Sequence, residues 1–225
     1  MKNEFSLLDQ ESAVDLQSFL TRAKKLDPDG LVRLRAFGDV LACYVAPIFS
    51  GSIIEGGPTI LGLRTMQIAG DAELDALVPI AAVLDRLATI ADNERWRARD
   101  SKIVLPDSVR SAWAGISPPR AGWVQVGSVN ETVLTQIAKD GIQEVAESLP
   151  TSVGGPIAAR IRGEIWGRAM TYDSSVPMGA AFVAAGLGFL TENEEVGIFE
   201  TQGWVRLSSE HGHVVARAAT TAQNL

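Results

Sequence analysis

The sequence predicts an α+β protein made of two small halves, each an antiparallel sheet covered by helices. Three observations predict this class. Short apolar stretches of strand character are separated by glycine-containing turns. Stretches with apolar residues three and four positions apart indicate amphipathic helices. The 225 residues, 46% of them hydrophobic, also supply enough apolar material to build such cores.

The predicted first half, residues 1–92, contains a helix, a four-stranded antiparallel sheet and a second helix. The first helix covers residues 9–25, because an apolar stripe recurs there at helical spacing: Leu16, Phe19, Leu20 and Ala23. The sequence Asp27-Pro28-Asp29-Gly30 ends this helix with turn-forming residues.

Two hairpins are predicted next, and a helix follows them. Residues 31–35 pair with 40–47 around Gly38, and residues 60–68 pair with Leu74, Ala76 and Val78 around Gly70. Pro79 sets the next boundary, because proline inside a helix costs about 3 kcal/mol, whereas the first helical turn tolerates it. The second helix therefore begins near Ile80 and continues to Ala91.

Residues 93–122 are predicted to be a basic linker, with a short helix at 107–114. The predicted second half, residues 123–225, begins with a strand at 123–126. Three helices follow, at 130–149, 156–166 and 177–187, and a small antiparallel sheet completes the chain. Its strands are predicted at 196–200, 204–207 and 214–218.

Two stretches share a pattern of glycine, an apolar residue, Val-Arg-Leu, a second glycine and an apolar strand. They are GLVRLRAFGDVLACY, beginning at Gly30, and GWVRLSSEHGHVVAR, beginning at Gly203. Both predict hairpins. Either an ancient duplication or independent use of common strand chemistry explains the similarity.

The composition and the absence of known motifs argue against several classes of function. The net charge of −7 argues against non-specific binding to nucleic acid. Cys43 is the single cysteine and is predicted to be a buried apolar side chain. No signal peptide or membrane span is predicted, so we expect a cytoplasmic protein. Phosphate loops, dinucleotide fingerprints, nucleophile elbows and zinc-protease motifs are absent from the sequence, which predicts no catalytic residue and no cofactor.

The two histidines, His211 and His213, are candidate metal ligands, since alternate residues of a strand face the same side. The sequence favours the simpler interpretation that both are polar residues of a turn, so no metal site is predicted. Ser208, Glu210 and His211 are residue types of a catalytic triad, but neighbours in one turn cannot hold that geometry.

Six residues are candidates for contact with an anion or a partner. Arg33 and Arg206 occupy matching places in the two similar stretches, and the linker supplies the other four: Arg95, Trp96, Arg97 and Arg99. The alternatives are a solvated outer face for the two strand arginines and a linker that lies across its own domains.

Three helices followed by a hairpin also suggest a winged helix, in which residues 177–187 would read DNA. That segment, PMGAAFVAAGL, carries no side chain that reaches a base edge. An apolar helix of small residues is instead expected to be buried or to pack against another chain.

A last group of residues carries a resemblance to known proteins. These residues are Phe19-Leu20, Val32-Arg33-Leu34, Leu63-Arg64-Thr65, Gly188-Phe189-Leu190, Trp204-Val205-Arg206-Leu207 and Gly212. With them the chain resembles a family of uncharacterised actinobacterial proteins without assigned function. The resemblance covers scattered positions over most of the chain and implies no activity.

The leading hypothesis is a non-catalytic interaction or regulatory module that self-associates, with a second copy or another protein as partner. The apolar stretch at residues 176–190 motivates it. The alternatives are a winged-helix-like regulator that binds nucleic acid, and a hydrolase or small-ligand binder whose site is not visible in the sequence.

Overall fold

The computed structural model describes residues 3–49, 57–91, 101–115, 117–150, 154–171, 173 and 175–217. The chain divides into two compact units: unit 1 is Met1–Val45 with Leu63–Ala114, and unit 2 is Ala46–Gly62 with Gly115–Leu225. The predicted class, α+β with antiparallel sheets covered by helices in two halves, is confirmed. The predicted boundaries at residues 92 and 123 stay a prediction.

The strands, β1 to β8, and the helices, α1 to α5, are numbered in the order in which they occur along the chain. Their bounds are β1 (Glu4–Ser6), α1 (Gln10–Leu26), β2 (Leu31–Ile48), β3 (Thr59–Pro79), α2 (Ile80–Ala91), β4 (Lys102–Val104), a 3-10 turn (Ala112–Gly115), β5 (Val124–Asn130), α3 (Glu131–Ser148), α4 (Gly155–Trp166), α5 (Met178–Leu187), β6 (Glu195–Thr201), β7 (Trp204–Ser209) and β8 (Gly212–Arg217). One sheet has the strand order β2-β3-β8-β7-β6-β5, and β1 pairs with β4 in a second sheet.

The two hairpins predicted around Gly38 and Gly70 are wrong. Each glycine lies inside one long strand, β2 or β3, and these strands are neighbours in the sheet. Arg33 contacts Asp75 and Gln67 contacts Asp39, so the pairing runs in opposite directions. The glycines have φ of 61° and 77°, which suits an irregularity inside a strand as well as a turn. Local sequence therefore did not distinguish four short strands from two long ones.

In unit 1, α1 buries the predicted stripe and packs against α2. Asp9 caps α1, since its carboxylate accepts a hydrogen bond of 2.7 Å from the Ser12 amide. Arg64 on β3 reaches Asp15 on α1 through two hydrogen bonds of 2.8 Å. Within the predicted linker, residues 102–104 form β4, which pairs with β1, so this part of the linker is structured.

In unit 2, α5 is buried along most of its length and packs against α3, α4 and β8. Its small residues allow this close packing: a Cβ atom at Gly179 would lie 2.5 Å from Ile60 and 2.8 Å from Ile48. The interpretation of residues 177–187 as a DNA-recognition helix is therefore wrong, because the helix is covered by its own unit. The same burial removes this helix as a surface for self-association.

Within the described ranges, no helix combines the length and the apolar character that a membrane crossing requires.

Candidate functional site

Arg206 lies in the middle of β7, a strand of unit 2. Val205 and Leu207 beside it are buried, so alternation along the strand directs Arg206 to the opposite face of the sheet. Its guanidinium carbon lies 4.6 Å from the ring centre of Trp123 and 4.6 Å from that of Phe199. The cation thus contacts two aromatic rings, both within cation–π distance.

Neighbouring strands build this arrangement. Phe199 lies directly opposite Arg206 in the β6–β7 pairing, which places its ring beside the arginine. Trp123 immediately precedes β5, and its indole nitrogen donates a hydrogen bond of 3.0 Å to the carbonyl of Pro119. Gly197 leaves room for the phenyl ring, because a Cβ atom there would lie 2.8 Å from Phe199. We call Arg206, Trp123 and Phe199 the stacked-arginine site.

The cation of this site has no hydrogen-bonded or ionic partner in the described part of the chain. Its Nε is buried and lacks an acceptor there. Burial lowers the pKa of Arg206 from its ordinary value, because desolvation disfavours the charged form. A buried donor without an acceptor costs about 1–3 kcal/mol, and the two ring contacts offset part of this cost.

Arg33, the matching residue of β2, has very different surroundings. Its Nε and Nη2 donate hydrogen bonds of 2.8 and 2.9 Å to the two carboxylate oxygens of Asp75. Nη1 donates to the carbonyl of Ala114 at 2.6 Å, and Arg35 also approaches Asp75, at 3.2 Å. The carboxylate of Asp75 is therefore bound to the Arg33 guanidinium, at the place where an anion from outside the chain was expected.

The two histidines lie in different parts of the hairpin formed by β7 and β8. His211 lies in the turn between β7 and β8, whereas His213 lies in β8 opposite Ser208, with Nδ1 3.1 Å from the serine oxygen. Among the described residues, no three His, Cys, Asp or Glu side chains come together as a metal site would require. The structure therefore brings His213 to a serine, and within the described ranges neither histidine belongs to a group of three metal-binding side chains.

The remaining candidates from the linker, Arg95, Trp96, Arg97 and Arg99, lie outside the described residues. The linker tryptophan that is described, Trp113, is 3% exposed. Cys43 is fully buried, as predicted, and burial strongly raises the pKa of its thiol.

β5 is the last strand in the order of the six-stranded sheet. It pairs with β6 on one side, and no described strand pairs with its other side. Val124 is 65% exposed and Val126 is 51% exposed, although valine favours half-buried positions in sheets. The register shifts between Gln125 and Gly127, which places Val126 at a bulge. An apolar edge of this kind is a template for another strand.

Sequence reasoning identified Arg206 but missed the other parts of this surface. Trp123 was predicted only as the beginning of a strand, and Phe199 only as part of another. Their contact with Arg206 depends on the order β5-β6-β7, which places residues far apart in sequence on neighbouring strands. Val124 and Val126 alternate in the sequence in the same way as the valines of a buried strand, so the pattern did not reveal that they are exposed.

Among solved structures, the fold is similar to bacterial DNA polymerase sliding clamps. The match to the DNA polymerase III subunit beta of Pseudomonas aeruginosa covers 99% of this chain and 66% of that chain, at 13% identity and a TM-score of 0.51. The match to the sliding clamp of Bartonella birtlesii, which was solved with griselimycin bound, covers 100% of this chain and 67% of that chain, at 8% identity and a TM-score of 0.51.

The polymerase III beta protein of Caulobacter crescentus gives a TM-score of 0.50 at 12% identity, with 100% of this chain and 66% of that one covered. This chain therefore spans about two thirds of the length of the clamps that it matches. At these identities the likeness shows a shared fold.

Two family models match the sequence, and both describe domains of unknown function. DUF8185 matches residues 118–221, and DUF8010 matches residues 1–115. No curated protein matches the sequence. The predicted membership of an uncharacterised family is thereby confirmed, while the actinobacterial origin stays a prediction. Because residues 1–115 make up just over half of the 225 residues, the chain belongs to the DUF8010 family.

Proposed function

We propose that this protein is a non-catalytic interaction module that self-associates through the open edge of β5. The observation that carries the proposal is an edge strand with two exposed valines, Val124 and Val126. Unpaired backbone groups along such an edge bind the backbone of an added strand, and apolar side chains add buried area. The edge of β5 replaces the apolar helix at residues 178–187 as the reason to expect self-association.

The fold supports this proposal in a second way. The solved structures that share it are described as subunits of a DNA polymerase, so the fold serves there as one part of a larger assembly. Under the proposal, the present chain likewise acts by contact with protein, with a second copy as its first partner.

Light scattering across a concentration series tests the proposal, with Val124→Lys and Val126→Lys combined in one variant. Lysine on an edge strand opposes pairing, because an ammonium group is costly to bury against another strand. We expect the wild type to form dimers or larger species at high concentration and the double variant to remain a monomer.

Val14→Lys, made alone and together with a second surface lysine, is the matched control. Val14 is 50% exposed on α1 in unit 1, so the substitution adds similar charge away from β5. A wild type that stays strictly monomeric at high concentration contradicts self-association. Equal loss of association in the control would contradict the assignment to β5.

A second candidate is a role on DNA, which the likeness to DNA polymerase sliding clamps favours. The net charge of −7 opposes it, and the winged-helix route fails because α5 is buried. Binding to duplex DNA, measured across salt concentrations, decides this point, since phosphate contacts must weaken steeply with salt. A hydrolase or small-ligand site elsewhere in the chain stays a prediction.

A further inference from the structure

We propose that the stacked-arginine site is a receptor for a carboxylate that a second copy of this chain presents when it docks at β5. This inference rests on the proposed self-association and adds the chemical group that the interface recognises. The guanidinium carbon of Arg206 lies 4.6 Å from the ring centres of both Trp123 and Phe199, so the two aromatic side chains hold the cation beside β5.

The preference for a carboxylate follows from the shape and charge of the site. A guanidinium presents its N–H groups in one plane, and a carboxylate accepts two of them side by side. The pair between Arg33 and Asp75 shows this geometry within the same protein. Arg206 carries the same fork but has no acceptor among the described residues. Desolvation already disfavours the charged form of Arg206, and an anion beside the guanidinium would favour that charged form again.

Two observations favour a second copy as the source of that carboxylate. First, the site is continuous with the proposed interface, because Trp123 directly precedes Val124 at the beginning of β5. Second, the composition supplies the required group. Between residues 117 and 217 the chain has eleven Asp and Glu residues and seven Lys and Arg residues, so a second copy carries carboxylates that its own cations do not match in number.

Light scattering on wild type, Arg206→Gln and Arg206→Lys, at low and high salt, tests the inference. We expect Arg206→Gln to weaken self-association about tenfold or more, because it leaves the carboxylate of the other copy unpaired. Arg206→Lys should retain part of the affinity, since it keeps the charge but loses the planar fork. Salt should weaken the wild-type association more than that of Arg206→Gln.

Arg162→Gln is the matched control, because Arg162 is an exposed arginine of unit 2 on α4, and the substitution removes the same charge. Circular dichroism and thermal unfolding verify that each variant is folded. Carbodiimide treatment of the Arg206→Lys dimer identifies the partner: an amide cross-link should join the introduced amine to an Asp or Glu of the other copy, as mass spectrometry would show.

The outcomes separate this inference from the proposed function. If the wild type associates and Arg206→Gln associates equally well, with the same salt dependence, the carboxylate site is overturned. Self-association then still stands. Wild type that never associates would overturn both the module proposal and the second copy as occupant. A dimer whose cross-links to position 206 all lie within one chain would also overturn the inference.

Discussion

At the residue scale, two helical glycines show how packing decides the effect of a side chain. Gly141 on α3 faces Trp166, and a Cβ atom there would lie 2.3 Å from the indole ring. That ring is held in place, since it stacks on Phe182 with 4.6 Å between ring centres. A Cβ atom at Gly163 on α4 would instead have no atom of another described element within 4 Å. Helix propensity alone indicates that a glycine at position 141 weakens α3, and the structure shows why a larger residue does not fit there.

Gly141→Ala should therefore destabilise the protein, although alanine is the better helix former. Overpacking costs about 1–3 kcal/mol, and because the contact with the indole ring would be only 2.3 Å, we expect a cost above the gain of roughly 1 kcal/mol in helix propensity. Gly163→Ala should increase stability by about 0.5–1 kcal/mol, because only the propensity changes. Urea unfolding measures both free energies. A stabilising effect of Gly141→Ala would contradict the packing described for Trp166.

Asp9 provides a prediction about pH. Hydrogen bonds from the Ser12 amide and hydroxyl lower the pKa of Asp9 below its usual value of 3.8. A lowered pKa in the folded state means that the cap stabilises α1 fully above that usual value and loses its effect as the pH falls through the folded-state pKa. Asp9→Asn keeps a capping oxygen without this titration.

Thermal unfolding of wild type and Asp9→Asn, between neutral pH and pH values below 3.8, measures this contribution. We expect the wild type to lose more stability than the variant as the pH falls. Parallel loss of stability in the two proteins would show that the Asp9 carboxylate does not stabilise the helix through its charge.

At the scale of elements, β2 and β3 depend on glycines that permit an irregular backbone inside a long strand. Gly38 has a φ of 61° with open space around it, so its conformation, and not its volume, restricts substitution. The continuous strands bring Arg33 on β2 to Asp75 on β3, two residues that the sequence predicts in different hairpins.

Gly38→Ala should destabilise the protein by about 1–2 kcal/mol, because a Cβ atom is strained at positive φ. Gly127→Ala in β5 is the control, since it also has open space but does not have a positive φ. Chemical denaturation of the two variants gives the comparison. Equal stability would indicate that the backbone at Gly38 relaxes without cost.

At the scale of the whole molecule, the compact units do not follow the family matches along the chain. Unit 2 includes residues 46–62, which lie inside the region matched by DUF8010, residues 1–115. Ile48 and Ile60 of that segment lie against Gly179 on α5, and Pro58 lies near Gly167. The core of unit 2 is therefore completed by residues far upstream in sequence.

A fragment of residues 118–225 should consequently fold poorly on its own. It lacks the apolar side chains that cover α5, and each large aliphatic side chain lost from a core costs about 2–5 kcal/mol. Urea unfolding followed by tryptophan fluorescence should show a broad, low-stability transition, and co-expression with residues 1–115 should restore a cooperative one. Cooperative unfolding of the isolated fragment with wild-type stability would contradict this dependence.

Much of the fold was predictable because it depends on local patterns. The stripe from Leu16 to Ala23 specifies the buried face of α1, and Pro79 marks the boundary between β3 and α2. Gly38 and Gly70 were interpreted wrongly, because the same backbone freedom serves a turn and an irregular strand. Nothing near either glycine in sequence decides between the two.

The sequence by itself determined the class of fold, most helices, the burial of Cys43 and the presence of two arginines in similar strands. Only the tertiary structure decided that Arg33 meets a carboxylate and that Arg206 contacts two aromatic rings. The physical reason is that helix periodicity and capping act over a few neighbouring residues. The surroundings of a strand residue, in contrast, depend on which distant strands lie beside it and in which register.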